Sequence, residues 1–134
     1  MNEKVTYLLA HLALFVVFFW FGALKLFDLS PATDLVEGLF RMIPILNLMD
    51  FDIFIVLLGL FEMLLAILFL FPKTTKFALW LLIPHIFTTL LPLALLPHLT
   101  WTQFAAPTLE GQYIIKNIVV VALALSVVLE KRKR

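Results

Sequence analysis

Four long apolar stretches determine what this chain can fold into, because each has the length of a helix that crosses a lipid bilayer. They cover residues 5–27, 53–71, 77–96 and 113–129. A spanning helix needs about 20 mostly apolar residues. The chain is 63% hydrophobic and 14% charged, whereas soluble domains average about 45–50% and about 25%. We therefore predict an all-α integral membrane protein: an antiparallel bundle of four transmembrane helices in one domain, residues 1–134.

Several functional classes are excluded by what the sequence lacks. It contains no cysteine, which excludes disulfides, thiolate metal sites and dithiol redox chemistry. Its net charge is only +1. The basic residues form no patch with interleaved aromatics, so nucleic acid is not an expected partner. We find no nucleophile–base pair, metal-ligand spacing or nucleotide loop, and we predict no catalytic or metal-binding residue. The first stretch is longer than the apolar run of a signal peptide, which predicts a retained helix.

The distribution of basic residues predicts the orientation of the helices. With four spans, seven of the 10 Lys and Arg residues fall on one side: Lys4, Lys73, Lys76 and residues 131–134. Loops rich in Lys and Arg face the cytoplasm. Both termini are therefore predicted to be cytoplasmic.

The segment between the first two spans carries its own helical signal. Ser30 and Pro31 are typical of an N-cap followed by the first helical residue, and Pro44 is expected to end the helix. The apolar side chains between them share one helical face: Leu35, Val36, Leu39, Phe40, Met42 and Ile43. We predict a short amphipathic outer helix over residues 31–43 that lies on the membrane surface or caps the bundle.

Ionisable residues inside the spans are the main candidates for a functional site, because such groups are rare in membranes and usually serve a function. The candidates form a predicted ligand-binding or charge cluster: Lys25, Glu62, His85, Lys116 and Asn117. From a rise of about 1.5 Å per residue, Glu62 and His85 differ in depth by only about 5 Å. A pairing between them near the midplane is therefore feasible. Gly22 and Gly59 would let the faces that carry Lys25 and Glu62 approach closely.

Simpler roles remain open for each of these residues. Lys25 and Lys116 could extend to the membrane surface as ordinary interfacial lysines. Glu62 must be protonated, paired or hydrated at this depth. His85 follows Pro84, where we expect a kink, and could be a packing residue, as could His11 near the other end of the first helix.

Three motifs, taken in order, resemble those of the DoxX-like membrane proteins. Gly22-x-x-Lys25 is similar to the first-helix signature of that family, with Ser30-Pro31 as its continuation. Gly59-x-x-Glu62 resembles its second-helix motif, and residues 111–117, which include Lys116 and Asn117, resemble the start of its fourth helix. The resemblance implies a four-helix protein of the bacterial inner membrane, associated in some members with membrane oxidoreductase or oxidative-stress systems. The resemblance also implies that Lys25, Glu62 and Lys116 are site residues.

The leading hypothesis is a small accessory subunit that binds a quinone-like or other small ligand at the buried cluster, within an oxidoreductase or stress-response complex. The expected surroundings are the lipid bilayer, with oxidoreductase subunits or further copies of the chain as candidate partners. One alternative is an oligomeric transporter or channel for ions or small molecules. Another is a structural assembly partner in which the charges only hold the helices together.

Overall fold

A computed structural model describes the backbone of residues 2–133 and the side chains of residues 2–130. Its α-helices in chain order are α1 (Glu3–Leu26), α2 (Thr33–Met42), α3 (Phe51–Leu70), α4 (Thr75–Leu90), α5 (Pro92–Leu95), α6 (Pro97–Thr100) and α7 (Leu109–Lys133). A 3₁₀ turn covers Leu46–Leu48, and two short strands, β1 (Trp101–Gln103) and β2 (Ala106–Pro107), precede α7. Within this described part, four segments are long and apolar enough to cross a membrane. They confirm the prediction of four helical segments long and apolar enough to span a membrane.

The third span differs from the prediction of one continuous helix over residues 77–96. Helix α4 continues through Pro84 but ends at Leu90, and α5 and α6 begin at Pro92 and Pro97. Proline lacks the N–H that an ongoing helix needs and is favoured at the first helical position. Each of the two later prolines therefore starts a new short helix, and the α4–α5 segment Thr75–Leu95 together makes the span.

Helix α2 begins two residues later than predicted, so the assignment of Ser30 as N-cap was wrong. Ser30 Oγ accepts a hydrogen bond from the Ala32 N–H at 3.2 Å, and Thr33 Oγ1 donates to the Ser30 carbonyl at 2.9 Å. These bonds stabilise a turn that contains Pro31, and the helix starts at Thr33. Its C-cap is Ile43, immediately before Pro44, as the sequence indicated.

The apolar face of α2 packs against α3. Leu35 and Phe40 are buried, and the Phe40 ring meets the rings of Phe51 and Phe54 with centroids 5.4 and 5.0 Å apart. Of the two predicted positions for this helix, on the membrane surface or over the bundle, these contacts place it against the long helices.

Helices α1 and α3 approach each other most closely at two glycines. A Cβ atom on Gly22 would lie 2.7 Å from the Gly59 carbonyl oxygen, and one on Gly59 would lie 2.6 Å from the Gly22 carbonyl oxygen. No side chain fits between backbones at that distance, so glycine is required at both positions. One face of each helix is thereby held directly against the other, and these faces carry Lys25 and Glu62.

The apolar core lies towards the α3–α4 turn and is built by α1, α3, α4 and α7. Its buried members are Leu14, Phe18, Leu65, Ala66, Phe69, Ala78, Leu82, Ile86, Ala124 and Val127. The Phe18 and Phe69 rings stack with centroids 6.2 Å apart. This packing joins the four long helices below the level of Glu62.

The segment between α6 and α7 forms a short β-hairpin. Strands β1 and β2 pair antiparallel, and Phe104 at the tip of the hairpin is 100% exposed. The Trp101 indole N–H donates to the Leu93 carbonyl at 2.8 Å, and Thr108 Oγ1 donates to the Leu99 carbonyl at 2.7 Å. These bonds attach the hairpin to α5 and α6.

Candidate ligand site between α1, α3, α4 and α7

Glu62 lies at the centre of a buried charged cluster. Its side chain projects from α3 towards α1, where Lys25 Nζ donates to Oε2 at 2.7 Å. The same ammonium group donates to the Phe21 carbonyl, one turn earlier on α1, at 3.3 Å. Lys25 is 5% and Glu62 7% exposed. Because an isolated charge is very unfavourable at such burial, this direct pairing is what allows both groups to be there.

His85 approaches the other carboxylate oxygen from α4. Its Nε2 lies 3.4 Å from Glu62 Oε1, and the residue is 8% exposed. The rings of Phe18 and Phe61 flank the imidazole, with centroids 6.2 and 5.4 Å away. Glu62 therefore links three helices, with one oxygen towards Lys25 and the other towards His85. We call Lys25, Glu62 and His85 the charged cluster.

A cavity of about 620 Å³ adjoins the charged cluster, and all three of its residues line it. Ligand pockets in proteins span about 300–1,000 Å³, with mostly apolar walls and a few convergent polar groups. Here the walls are largely aliphatic and aromatic. Examples are Phe21 of α1, Leu39 of α2, Leu58 of α3, Ile86 of α4 and Ile114 of α7. Size and chemistry are those of a site for an apolar molecule with a polar head.

The two predicted site residues on α7 line the cavity but stand apart from the charged cluster. Lys116 is exposed, and its Nζ lies over the Tyr113 ring, 5.7 Å from the centroid. Asn117 Nδ2 donates to Thr89 Oγ1 on α4 at 3.3 Å. Lys116 thus contacts Tyr113 rather than the charged cluster, and Asn117 joins α7 to α4.

His11, the other histidine considered in the spans, lies in the core. It is 1% exposed, its Nδ1 hydrogen-bonds the Phe69 carbonyl, and the Tyr7 ring packs edge-on at 4.5 Å between centroids. It does not line the cavity next to the charged cluster. Within residues 2–133, no group of three or more His, Asp and Glu side chains is arranged to hold a metal ion.

The sequence analysis missed the cavity itself. Its walls are ordinary Leu, Ile, Val and Phe residues, and nothing in their type separates a wall from a lipid-facing position. The contribution of α2 was partly predictable, because five residues of its predicted apolar face (Leu35, Val36, Leu39, Phe40 and Ile43) line the cavity.

Comparisons of the chain with protein-family models, with curated proteins and with solved structures found no match. The charged cluster and the cavity are therefore the basis for a functional assignment.

Proposed function

We propose that this protein binds a small amphiphilic molecule in the cavity beside the charged cluster, and that it does so within a lipid bilayer. A membrane-spanning chain is indicated by the four long apolar helices. The finer topology belongs to the proposal: an antiparallel four-helix bundle in the bacterial inner membrane, with both termini in the cytoplasm. The excess of Lys and Arg at the termini and in the α3–α4 turn supports that orientation.

The observation that carries the proposal is the position of the charged cluster in the wall of an apolar cavity. Charges that only held the helices together would need no cavity beside them. Here Lys25, Glu62 and His85 are almost fully buried by protein, yet all three border a space of about 620 Å³. An apolar molecule with one polar head matches both parts of this surface.

The ligand we propose is quinone-like, and the role we propose is that of an accessory subunit rather than an independent enzyme. A quinone combines a flat ring that carries oxygen atoms with an apolar tail. The ring would meet the charged cluster, and the tail would lie along Leu39, Leu58 and Ile114. Resemblance of the Gly22-x-x-Lys25 and Gly59-x-x-Glu62 motifs to DoxX-like proteins supports an association with a membrane oxidoreductase or stress-response system.

Equilibrium binding of a decyl-substituted benzoquinone to the protein in lipid nanodiscs tests this proposal. Because the probe also dissolves in lipid, binding to empty nanodiscs must be subtracted. We expect saturable binding of about one molecule per chain. Uptake that only follows the amount of lipid would contradict the proposal.

Two adjacent leucines of α3 provide a matched pair of variants. Leu58 lines the cavity, whereas Leu57 is 49% exposed on the outside of the helix. In Leu58→Trp the indole fills cavity space, and we expect at least a tenfold loss of affinity. Leu57→Trp makes the same chemical change outside the cavity and should bind like the parent protein. Equal losses in both variants would contradict a ligand site at this position.

A further inference from the structure

The two nitrogens of the His85 ring are in different situations. Nε2 faces the Glu62 carboxylate at 3.4 Å. Nδ1 has no hydrogen-bond partner among the described residues. A buried imidazole nitrogen without a partner is uncommon, because most buried side-chain polar atoms are hydrogen-bonded to protein or to water.

Access to the cavity distinguishes this nitrogen from the unpartnered one in the core. Over the described residues, the one fully enclosed side-chain nitrogen or oxygen that lacks a partner is His11 Nε2. His85 Nδ1 is therefore not enclosed by protein, and the space that His85 borders is the cavity.

The partner of Nε2 determines what Nδ1 can do. An ionised carboxylate only accepts hydrogen bonds, and Nε2, at 3.4 Å, is the imidazole nitrogen that faces it, which favours the tautomer with its hydrogen on Nε2. Lys25 already balances the charge of Glu62 at 2.7 Å. With a neutral imidazole the cluster carries no net charge, which suits an apolar environment. In a neutral imidazole with its hydrogen on Nε2, Nδ1 is a bare acceptor.

We propose that His85 Nδ1 accepts a hydrogen bond from a hydroxyl group on the head of the ligand. The cavity then prefers long-chain molecules with a hydroxyl head (a phenol, a hydroquinone or an alcohol) to analogues that offer only ether or carbonyl oxygens. For a quinone and its reduced form, the reduced form is the one preferred. This inference rests on the proposed function, because it requires the cavity to bind an amphiphile.

Lys25 determines how strong the preference is. Two hydrogen bonds of its ammonium group are made, to Glu62 and to the Phe21 carbonyl, which leaves one N–H for a ligand oxygen. An ether or carbonyl head can therefore still bind there. We expect a ratio of affinities rather than complete exclusion of hydroxyl-free ligands.

A pair of probes that differ only in the hydroxyl hydrogen tests the inference. These are 4-nonylphenol and its methyl ether, 4-nonylanisole, each titrated into the protein in nanodiscs with empty nanodiscs subtracted. One hydrogen bond is worth about 1 kcal/mol, so the phenol should bind roughly fivefold to tenfold more tightly. Equal affinities for the unmodified protein would overturn the inference, whatever the behaviour of any variant.

Two substitutions at His85 separate the roles of the two nitrogens. His85→Gln keeps an amide N–H near the position of Nε2 and leaves no acceptor at the position of Nδ1, so the phenol-to-anisole ratio should fall to about one. His85→Asn places its amide near the position of Nδ1 and should retain part of the ratio. A full ratio in His85→Gln would overturn the inference, since the hydroxyl would then have another partner.

The outcomes also separate this inference from the proposed function. If the decyl benzoquinone binds but the phenol shows no advantage over its ether, the site for amphiphiles stands and the role of Nδ1 falls. If the quinone and both nonyl compounds fail to bind, the two proposals fall together.

Discussion

The two buried histidines of the spans lie in regions that are built in opposite ways. His85 belongs to the charged cluster, borders a cavity and keeps one nitrogen unused. His11 lies in a close-packed region, where its Nδ1 bonds the Phe69 carbonyl and its Nε2 is fully enclosed. The comparison teaches that burial of a polar group does not identify a site. An open space beside the buried group is what marks a candidate site.

In the packed region, His11 hydrogen-bonds the C-terminal end of α3. Helix α3 ends at Leu70, and the last four carbonyls of a helix have no partner within it. Thr74 Oγ1 donates to the Leu68 carbonyl at 2.6 Å, and His11 serves the Phe69 carbonyl. The histidine thus completes the hydrogen bonding of α3 where the chain turns into α4.

The largest effect is expected from breaking the pair at the centre of the charged cluster. Glu62→Leu leaves the buried Lys25 ammonium without its carboxylate, and we expect the free energy of unfolding to fall by about 3–5 kcal/mol. The double variant Lys25→Met/Glu62→Leu removes both charges and should recover most of that loss. Unfolding by sodium dodecyl sulfate, followed by circular dichroism, measures both. A double variant as unstable as the single one would show that the pair is not the cause.

The glycine contact that brings the cluster together should come next. Gly59→Ala places a Cβ 2.6 Å from the Gly22 carbonyl oxygen, and overpacking of this kind is expected to lower stability by about 1–3 kcal/mol. Gly38→Ala is the control: its new Cβ meets only the flexible side chain of Leu96, at 2.9 Å, and alanine favours the helix. Unfolding curves for the two should differ clearly. If Gly38→Ala lowers the stability more than Gly59→Ala does, the close contact between α1 and α3 is not the feature on which stability depends.

Replacing His11 tests the comparison from the packed side. His11→Phe leaves the Phe69 carbonyl without its partner but also removes the enclosed, unpartnered Nε2, so we expect a net loss of only about 1 kcal/mol. Binding of the decyl benzoquinone should stay unchanged, because His11 does not line the cavity beside the charged cluster. A loss of probe binding at preserved stability would remove the distinction between the two regions.

The smallest effect is expected at Lys116. Its side chain is exposed and lies over the Tyr113 ring, so Lys116→Gln should leave the unfolding midpoint within error of the parent protein. Affinity for the uncharged quinone should change by less than about twofold, since the charged cluster stays intact. A larger loss, measured in the same nanodisc titration, would assign Lys116 to the site that binds the ligand head.

Much of the fold was predictable because the membrane imposes its own length and composition on a spanning helix. Stretches of about 20 apolar residues indicate where such helices lie, and the third stretch differs from this simple picture at its prolines. Pro92 and Pro97 each start a new short helix within an apolar run that hydropathy alone predicts to be one continuous helix. The prediction of Ser30 as N-cap was wrong because a serine Oγ can accept a backbone N–H in a turn as well as at the start of a helix. The backbone conformation determines which of the two forms.

The site was predictable only where charge marks it. Lys25, Glu62 and His85 are conspicuous in apolar helices, and the positions of Glu62 and His85 in their helices indicated similar depths. Lys116 and Asn117 carried the same kind of signal but lie outside the cluster: Lys116 is exposed over the Tyr113 ring, and Asn117 bonds Thr89 on α4. The cavity has no sequence signal, since it depends on how apolar side chains of six helices fail to fill one volume.

The most direct test of the central claim is an experimental structure of the protein in lipid with the decyl benzoquinone present. The account predicts density for the ring beside His85 and Glu62, with the tail running between Leu39, Leu58 and Ile114. It also predicts that Lys25 remains paired with Glu62. A charged cluster sealed by side chains, with no cavity beside it and the probe elsewhere, would contradict the account and leave Lys25, Glu62 and His85 as a structural link between helices.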